Sequence, residues 1–165
     1  MDPPDGPDQA SMLIEILMAG GLVVVTVVIH AVGFDALLRA LMRSRALDKS
    51  GFPRVTGLVI GLTCWLVLIH LIEISVWGLF YLWQGCLPDA EPAFYFSGVT
   101  YTTVGYGDLV LPRPWRMLAP LESLTGILMC GLSTGLFFAV VSRWIGNWMQ
   151  RRTASEPPSA APMNK

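Results

Sequence analysis

The sequence predicts an all-α membrane protein with three transmembrane helices. A short re-entrant helix and an irregular loop lie between the second and third. Three observations predict this. The chain is 53% hydrophobic and 14% charged, whereas soluble domains carry about 25% charged residues. Three apolar stretches reach the roughly 20 residues that crossing a bilayer requires. Between the last two, about ten helix-compatible residues lead into a glycine-containing pentapeptide, a helix of only about 15 Å, too short to cross.

The first stretch runs from Ile16 to Phe34, with His30 as its single titratable residue. Its leader, Met1 to Asp8, is acidic, and the apolar run exceeds that of a signal peptide, so a retained helix is expected. The second stretch runs from about Thr56 to Trp83 and holds His70 and Glu73. The third runs from about Met117 to Val141 and holds Glu122. Residues 1–11 and 151–165 are rich in Pro, Ala, Ser and charge, and are expected to be disordered. Residues 12–54 make the first helix and a basic loop; residues 55–150 hold the other two helices and the segment between them.

Eleven basic and twelve acidic residues nearly cancel, which gives no reason to expect a nucleic-acid partner. The bases are unevenly placed. Arg39, Arg43, Arg45, Lys49 and Arg54 lie between the first two stretches, and Arg143, Arg151 and Arg152 follow the third. By the positive-inside rule both groups face the cytoplasm, so the N-terminus lies outside and the C-terminus inside. Trp77, Tyr81, Trp83 and Trp115 then suit the outer interface, and Trp144 and Trp148 the inner one. Cys64 and Cys130 are expected as small buried apolar residues within helices. Cys86 faces outside and could pair only with another chain.

Glu91 and Pro92 suit the first turn of a helix over Ala93 to Thr102. Thr103-Val104-Gly105-Tyr106-Gly107 must then run as irregular backbone at membrane depth. That is tolerated only where the backbone is buried in protein or lines a water-filled cavity. Gly105 and Gly107 readily take positive φ. Residues of alternating hand can turn successive carbonyls toward one axis, where they replace the water shell of a cation. The negative C-terminal end of the short helix favours a cation at the same depth.

This pentapeptide resembles the selectivity filter of potassium channels. The resemblance implies a homotetramer in the lipid bilayer, with four such loops around one axis. The carbonyls of Thr103, Val104, Gly105 and Tyr106, with the Thr103 hydroxyl, would hold K⁺, and Gly107 would complete the filter. K⁺ is the permeant ion; no cofactor is expected, and no catalytic motif is recognisable. Thr102 and Asp108 flank the filter. Tyr95 occupies the position whose aromatic donor holds the acid after the filter in the resembling channels, and Glu122 is a further candidate support.

Residues from about Thr56 to Trp148 follow the plan of two-helix potassium channels, which makes 55–150 the pore domain. The third helix resembles that of bacterial inward rectifiers through Leu121-Glu122, Gly126 and Leu132 to Ala139. By that match Gly126 and Gly135 are hinge candidates, and Phe138 is the candidate hydrophobic gate. The match also points to a bacterial inner (plasma) membrane. Gly131 with Gly135, and Gly57 with Gly61, are also helix-packing pairs.

The departures set limits. Fewer than twenty residues follow Trp148, so the rectifiers' cytoplasmic β-rich domain has no counterpart, and their lipid and nucleotide control is not implied. Val99 replaces the pore-helix glutamate of several bacterial channels, and Cys130 the acid of strong rectifiers. The first helix lacks the regularly spaced bases of a voltage sensor. With Leu37, Leu38, Leu41 and Met42, its basic end could form an interfacial stretch or a simple anchor.

His70 and Glu73 lie three residues apart on one helix face. They and Glu122 could hydrogen-bond Ser97, Thr100 or Tyr101 and brace the filter, or sense protons. A metal site would need further ligands. His30 is expected as a packed helix residue nearer the cytoplasmic side. The alternative to a conducting channel is a non-conducting regulatory subunit of another one.

Overall fold

A computed structural model describes residues 9–44 and 52–154. These contain four α-helices: α1 (Gln9–Ser44), α2 (Phe52–Trp83), α3 (Ala90–Tyr101) and α4 (Leu118–Ala154). A 3-10 turn, Arg113–Trp115, precedes α4, and no strand occurs among the described residues. Three segments are long and apolar enough to cross a membrane: Leu13–Arg43, Thr56–Trp83 and Arg113–Gln150. At 12 residues, α3 is too short to do so.

Several boundaries differ from expectation. The first helix begins at Gln9, inside the segment read as disordered, and α4 continues to Ala154, past 150. Residues 1–8, Arg45, Lys49 and the tail from 155 lie outside the described residues. The helix runs unbroken through the basic end of α1 to Ser44. Leu37 and Leu41 there turn inward and are buried, whereas Leu38 and Met42 are exposed.

Two apolar clusters tie the helices together. One gathers Ala19 of α1, Trp77 and Tyr81 of α2, Phe96 and Tyr101 of α3, and Met129 of α4. The other joins Leu37 and Leu41 of α1 to Leu62 and Leu66 of α2 and Val140 of α4. Ala19 thus pairs with the end of α2 and Leu37 with its beginning, so α1 and α2 are antiparallel. Each buried Leu or Val side chain contributes about 1.5–3 kcal/mol in water. In a bilayer that gain falls away, because lipid tails are as apolar as leucine, and close packing and polar contacts hold the helices instead. The outward residues Leu17, Val24, Val32 and Leu79 are exposed, the surface a membrane would solvate.

Two expected interface residues lie inside. Trp77 is fully buried and donates its indole N–H to Thr26 Oγ1 at 3.1 Å, joining α2 to α1. Tyr81 is also fully buried, whereas Trp83 is exposed. Cys86 is buried and free, packed in the first cluster rather than facing outward, and burial pushes its thiol up to about 11. Cys64 and Cys130 are exposed, contrary to the expectation of small buried residues.

Candidate functional site

The short helix α3 opens after Asp89, with Glu91 in its first turn, where a negative charge complements the helix dipole. Its C-terminal carbonyls are taken up by the following loop. Thr102 donates its backbone N–H to Gly98 O at 3.2 Å and its hydroxyl to the same oxygen at 2.6 Å. The amides of Thr103 and Gly105 donate to Thr100 O at 2.9 Å and Val99 O at 3.0 Å. The loop is therefore anchored to the helix end in front of it.

Thr103, Gly105 and Gly107 have φ of 61°, 52° and 76°; Val104 and Tyr106 are not left-handed. Left-handed residues thus alternate with ordinary ones through the pentapeptide, the pattern that turning successive carbonyls to one side requires. Glycine takes this conformation freely, but Thr103 does so at a cost of about 1–2 kcal/mol. The loop's geometry is therefore held by its surroundings and not by local preference alone. Residues 102–108 are all exposed within the single chain. Beyond them the Tyr95 hydroxyl donates to Asp108 Oδ2 at 2.8 Å. That bond to a carboxylate holds the phenol proton more firmly than usual.

Behind α3 lie two fully buried carboxylates. Glu122 of α4 receives the Tyr81 hydroxyl at 2.7 Å and lies 2.5 Å from Ser97 Oγ. Ser97 Oγ is also 2.8 Å from the Ile74 carbonyl. The Ser123 hydroxyl donates to Thr100 O at 2.9 Å. Ser97 and Thr100 thus fix the helix that carries the loop.

Glu73 of α2 sits between the two apolar clusters in a polar layer. The Tyr101 hydroxyl donates to its Oε2. His30 Nδ1 of α1 lies 2.8 Å from Oε1, and His70 Nδ1 3.2 Å from Oε2. His70 Nδ1 is also 3.0 Å from the Tyr101 hydroxyl. Ser133 Oγ of α4 lies 3.0 Å from His70 Nε2 and 3.4 Å from His30 Nε2. All four helices meet here. The ligand-type atoms of His30, His70 and Glu73 lie within 4.8 Å of one another. Each of them takes part in hydrogen bonds within the group.

Of the residues expected behind the loop, Tyr101 meets Glu73 and His70, and Ser97 meets Glu122. His30 is no mere packing residue, since it bonds Glu73 near the middle of its span. Its isolation as the single titratable residue in 19 apolar positions was a usable signal, because an intramembrane ionisable group implies a partner. Nothing in the sequence pointed to Ser133 as a partner of the histidines or to Tyr81 as a partner of Glu122.

The hinge and gate candidates separate. Gly126 is buried, and a Cβ on it would collide with the Tyr101 carbonyl oxygen. Its lack of a side chain serves the close approach of α4 to the end of α3. Gly135 has open space around it, and α4 is continuous through both glycines. Phe137 packs against the second apolar cluster, whereas Phe138 is 71% exposed.

Residues 67–143 match the family model described as an ion channel. No curated protein and no solved structure matches the chain. The segment from the middle of α2 into the second half of α4 is therefore similar to the ion-channel family, and the match is consistent with a potassium-channel type.

Proposed function

We propose that the chain is one subunit of a homotetrameric channel that passes K⁺ selectively and passively through the loop Thr103 to Gly107. The observation that carries this reading is the alternation of left-handed φ along that loop. The loop stands at the end of a short helix between two spans, and its own chain leaves it uncovered. Irregular backbone at membrane depth must be covered by protein or line water. Three further copies around an axis supply both.

In this reading the carbonyls of Thr103, Val104, Gly105 and Tyr106, with the Thr103 hydroxyl, replace the hydration shell of K⁺. No cofactor takes part. Tyr95 and Asp108 hold the outer end of the filter, and Thr102, Ser97 and Glu122 its base. Phe138 lines the inner pore as the hydrophobic gate, with Gly135 as the point where α4 bends. The chain lies in a bacterial plasma membrane with its N-terminus outside and its C-terminus in the cytoplasm, as the distribution of arginines implies.

The test is flux into liposomes that contain the purified full chain alone. Rb⁺ uptake that K⁺ competes for and Na⁺ does not is expected. Gly105→Ala should abolish that preference, because a Cβ disfavours the φ of 52° found there. A mass in mild detergent other than four chains, or uptake indifferent to the cation, would refute the reading.

A further inference from the structure

The polar layer between the two apolar clusters has hydrogen-bond contacts that an ionised Glu73 with two neutral imidazoles cannot fill. With Glu73 ionised and both imidazoles neutral, four protons are available: one each on His30, His70, Tyr101 and Ser133. The contacts require five. His30 Nδ1 to Glu73 needs one, at 2.8 Å. Tyr101 to Glu73 needs another. His70 Nδ1 needs one, shared between Glu73 Oε2 at 3.2 Å and Tyr101 at 3.0 Å. Ser133 Oγ needs two, toward His70 Nε2 at 3.0 Å and His30 Nε2 at 3.4 Å. The Ser133 hydroxyl supplies only one of the last two.

We infer that His30, His70, Glu73, Tyr101 and Ser133 form a proton-binding site that joins α1 to the pore, with one extra proton held on an imidazole against the Glu73 carboxylate. With that proton present, His30 donates to both Glu73 and Ser133, and every contact carries a hydrogen. The added positive charge meets the carboxylate, so the buried group stays neutral overall.

The groups facing the site come from every helix around it. They are His30 from α1, His70 and Glu73 from α2, Tyr101 from α3, and Ser133 with the Cys130 thiol from α4; Cys130 interacts electrostatically with Glu73. Glu122 acts on Tyr101 from further away. No lysine or arginine is among these groups. A cavity of about 270 Å³ borders the site. Its wall includes Thr63, His70, Ser133 and Thr134, and His70 keeps 18% of its side chain exposed. Thr63 precedes His70 on α2 and Thr134 follows Ser133 on α4, so the cavity lies toward the side where α2 begins and α4 ends.

The consequence reaches the filter through Tyr101, the last residue of α3. When the proton leaves, the bond from His30 to Ser133 is lost, and the ion pair with Glu73 becomes a neutral contact. The first helix then holds less firmly to α4, and Tyr101 loses part of its bracing. Sustained conduction should therefore fall as pH rises.

The chain has only two histidines, so histidine-labelled NMR of the full chain in lipid nanodiscs reads this site alone. Across a pH series, one doubly protonated ring per chain is expected wherever the site holds its extra proton. Both ring signals should shift together as pH rises. In His30→Gln the remaining ring should be neutral at the same pH. Two rings neutral throughout the series, or two rings titrating independently, would overturn the site, and the wild-type spectrum decides this even if the variant does not assemble. The functional arm rests on the channel reading and is separable from it. Rb⁺ flux should fall as pH rises in the wild type and lose that dependence in His30→Gln. Flux independent of pH would overturn the control of conduction. Absence of flux at every pH would count against the channel itself, with the NMR result still standing.

Discussion

Two glutamates are buried behind α3, and their surroundings differ in kind. Glu122 is surrounded by hydroxyls: Tyr81 at 2.7 Å and Ser97 at 2.5 Å. Glu73 is surrounded by two imidazoles and a phenol. Each group is one proton short. At Glu122, three contacts share the protons of Tyr81 and Ser97, since Ser97 also faces the Ile74 carbonyl at 2.8 Å. The missing proton there has no base to sit on except the carboxylate, so the group is complete as a neutral acid. At Glu73 an imidazole takes the proton and leaves the carboxylate charged. The same residue type thus gives a fixed brace in one place and a titratable joint in the other.

The comparison can be broken by substitution. The largest effect is expected from Glu122→Ala, which leaves Tyr81 without an acceptor and opens a cavity beside Ser97. Thermal dissociation of the detergent-solubilised protein should show a loss of about 3–5 kcal/mol. Gly126→Ala should be nearly as severe, because the collision is with the Tyr101 backbone and not with a side chain that can swing away. Assembly on a native gel would show it, and unaltered assembly would mean that α4 can shift at that point.

Glu73→Gln sharpens the contrast. An amide keeps the shape but removes the charge that holds the extra proton, at a cost of about 1–3 kcal/mol. The labelled histidines should then both be neutral under the conditions in which the unaltered protein holds its extra proton. Glu122→Gln should be the mildest, under about 1 kcal/mol, because a neutral amide puts a donor group on one arm and an acceptor on the other, as a neutral acid does. Equal losses for Glu73→Gln and Glu122→Gln in one melting experiment would erase the distinction between the two sites.

The fold was legible wherever it depends on the length and continuity of apolar runs. The three spans and the short helix before the loop lie close to where the residue pattern placed them. The Tyr95–Asp108 bond was implied by the resemblance to potassium channels, and the place of Gly105 and Gly107 followed from residue type. The rear of the site was less legible. His30 and Glu73 are 43 residues apart and His30 and Ser133 103, and nothing in local periodicity says which faces of three long helices meet. Trp77 and Tyr81 were misplaced for a similar reason. An aromatic residue with a polar tip suits a membrane interface, but it suits an interior equally when Thr26 or Glu122 accepts its hydrogen.

The most direct measurement of the central claim is the reversal potential of the reconstituted chain with K⁺ on one side of a planar bilayer and Na⁺ on the other. The account predicts a potential close to the K⁺ equilibrium value, lost in Gly105→Ala. A reversal near zero in the unaltered protein would show that Thr103 to Gly107 does not select K⁺.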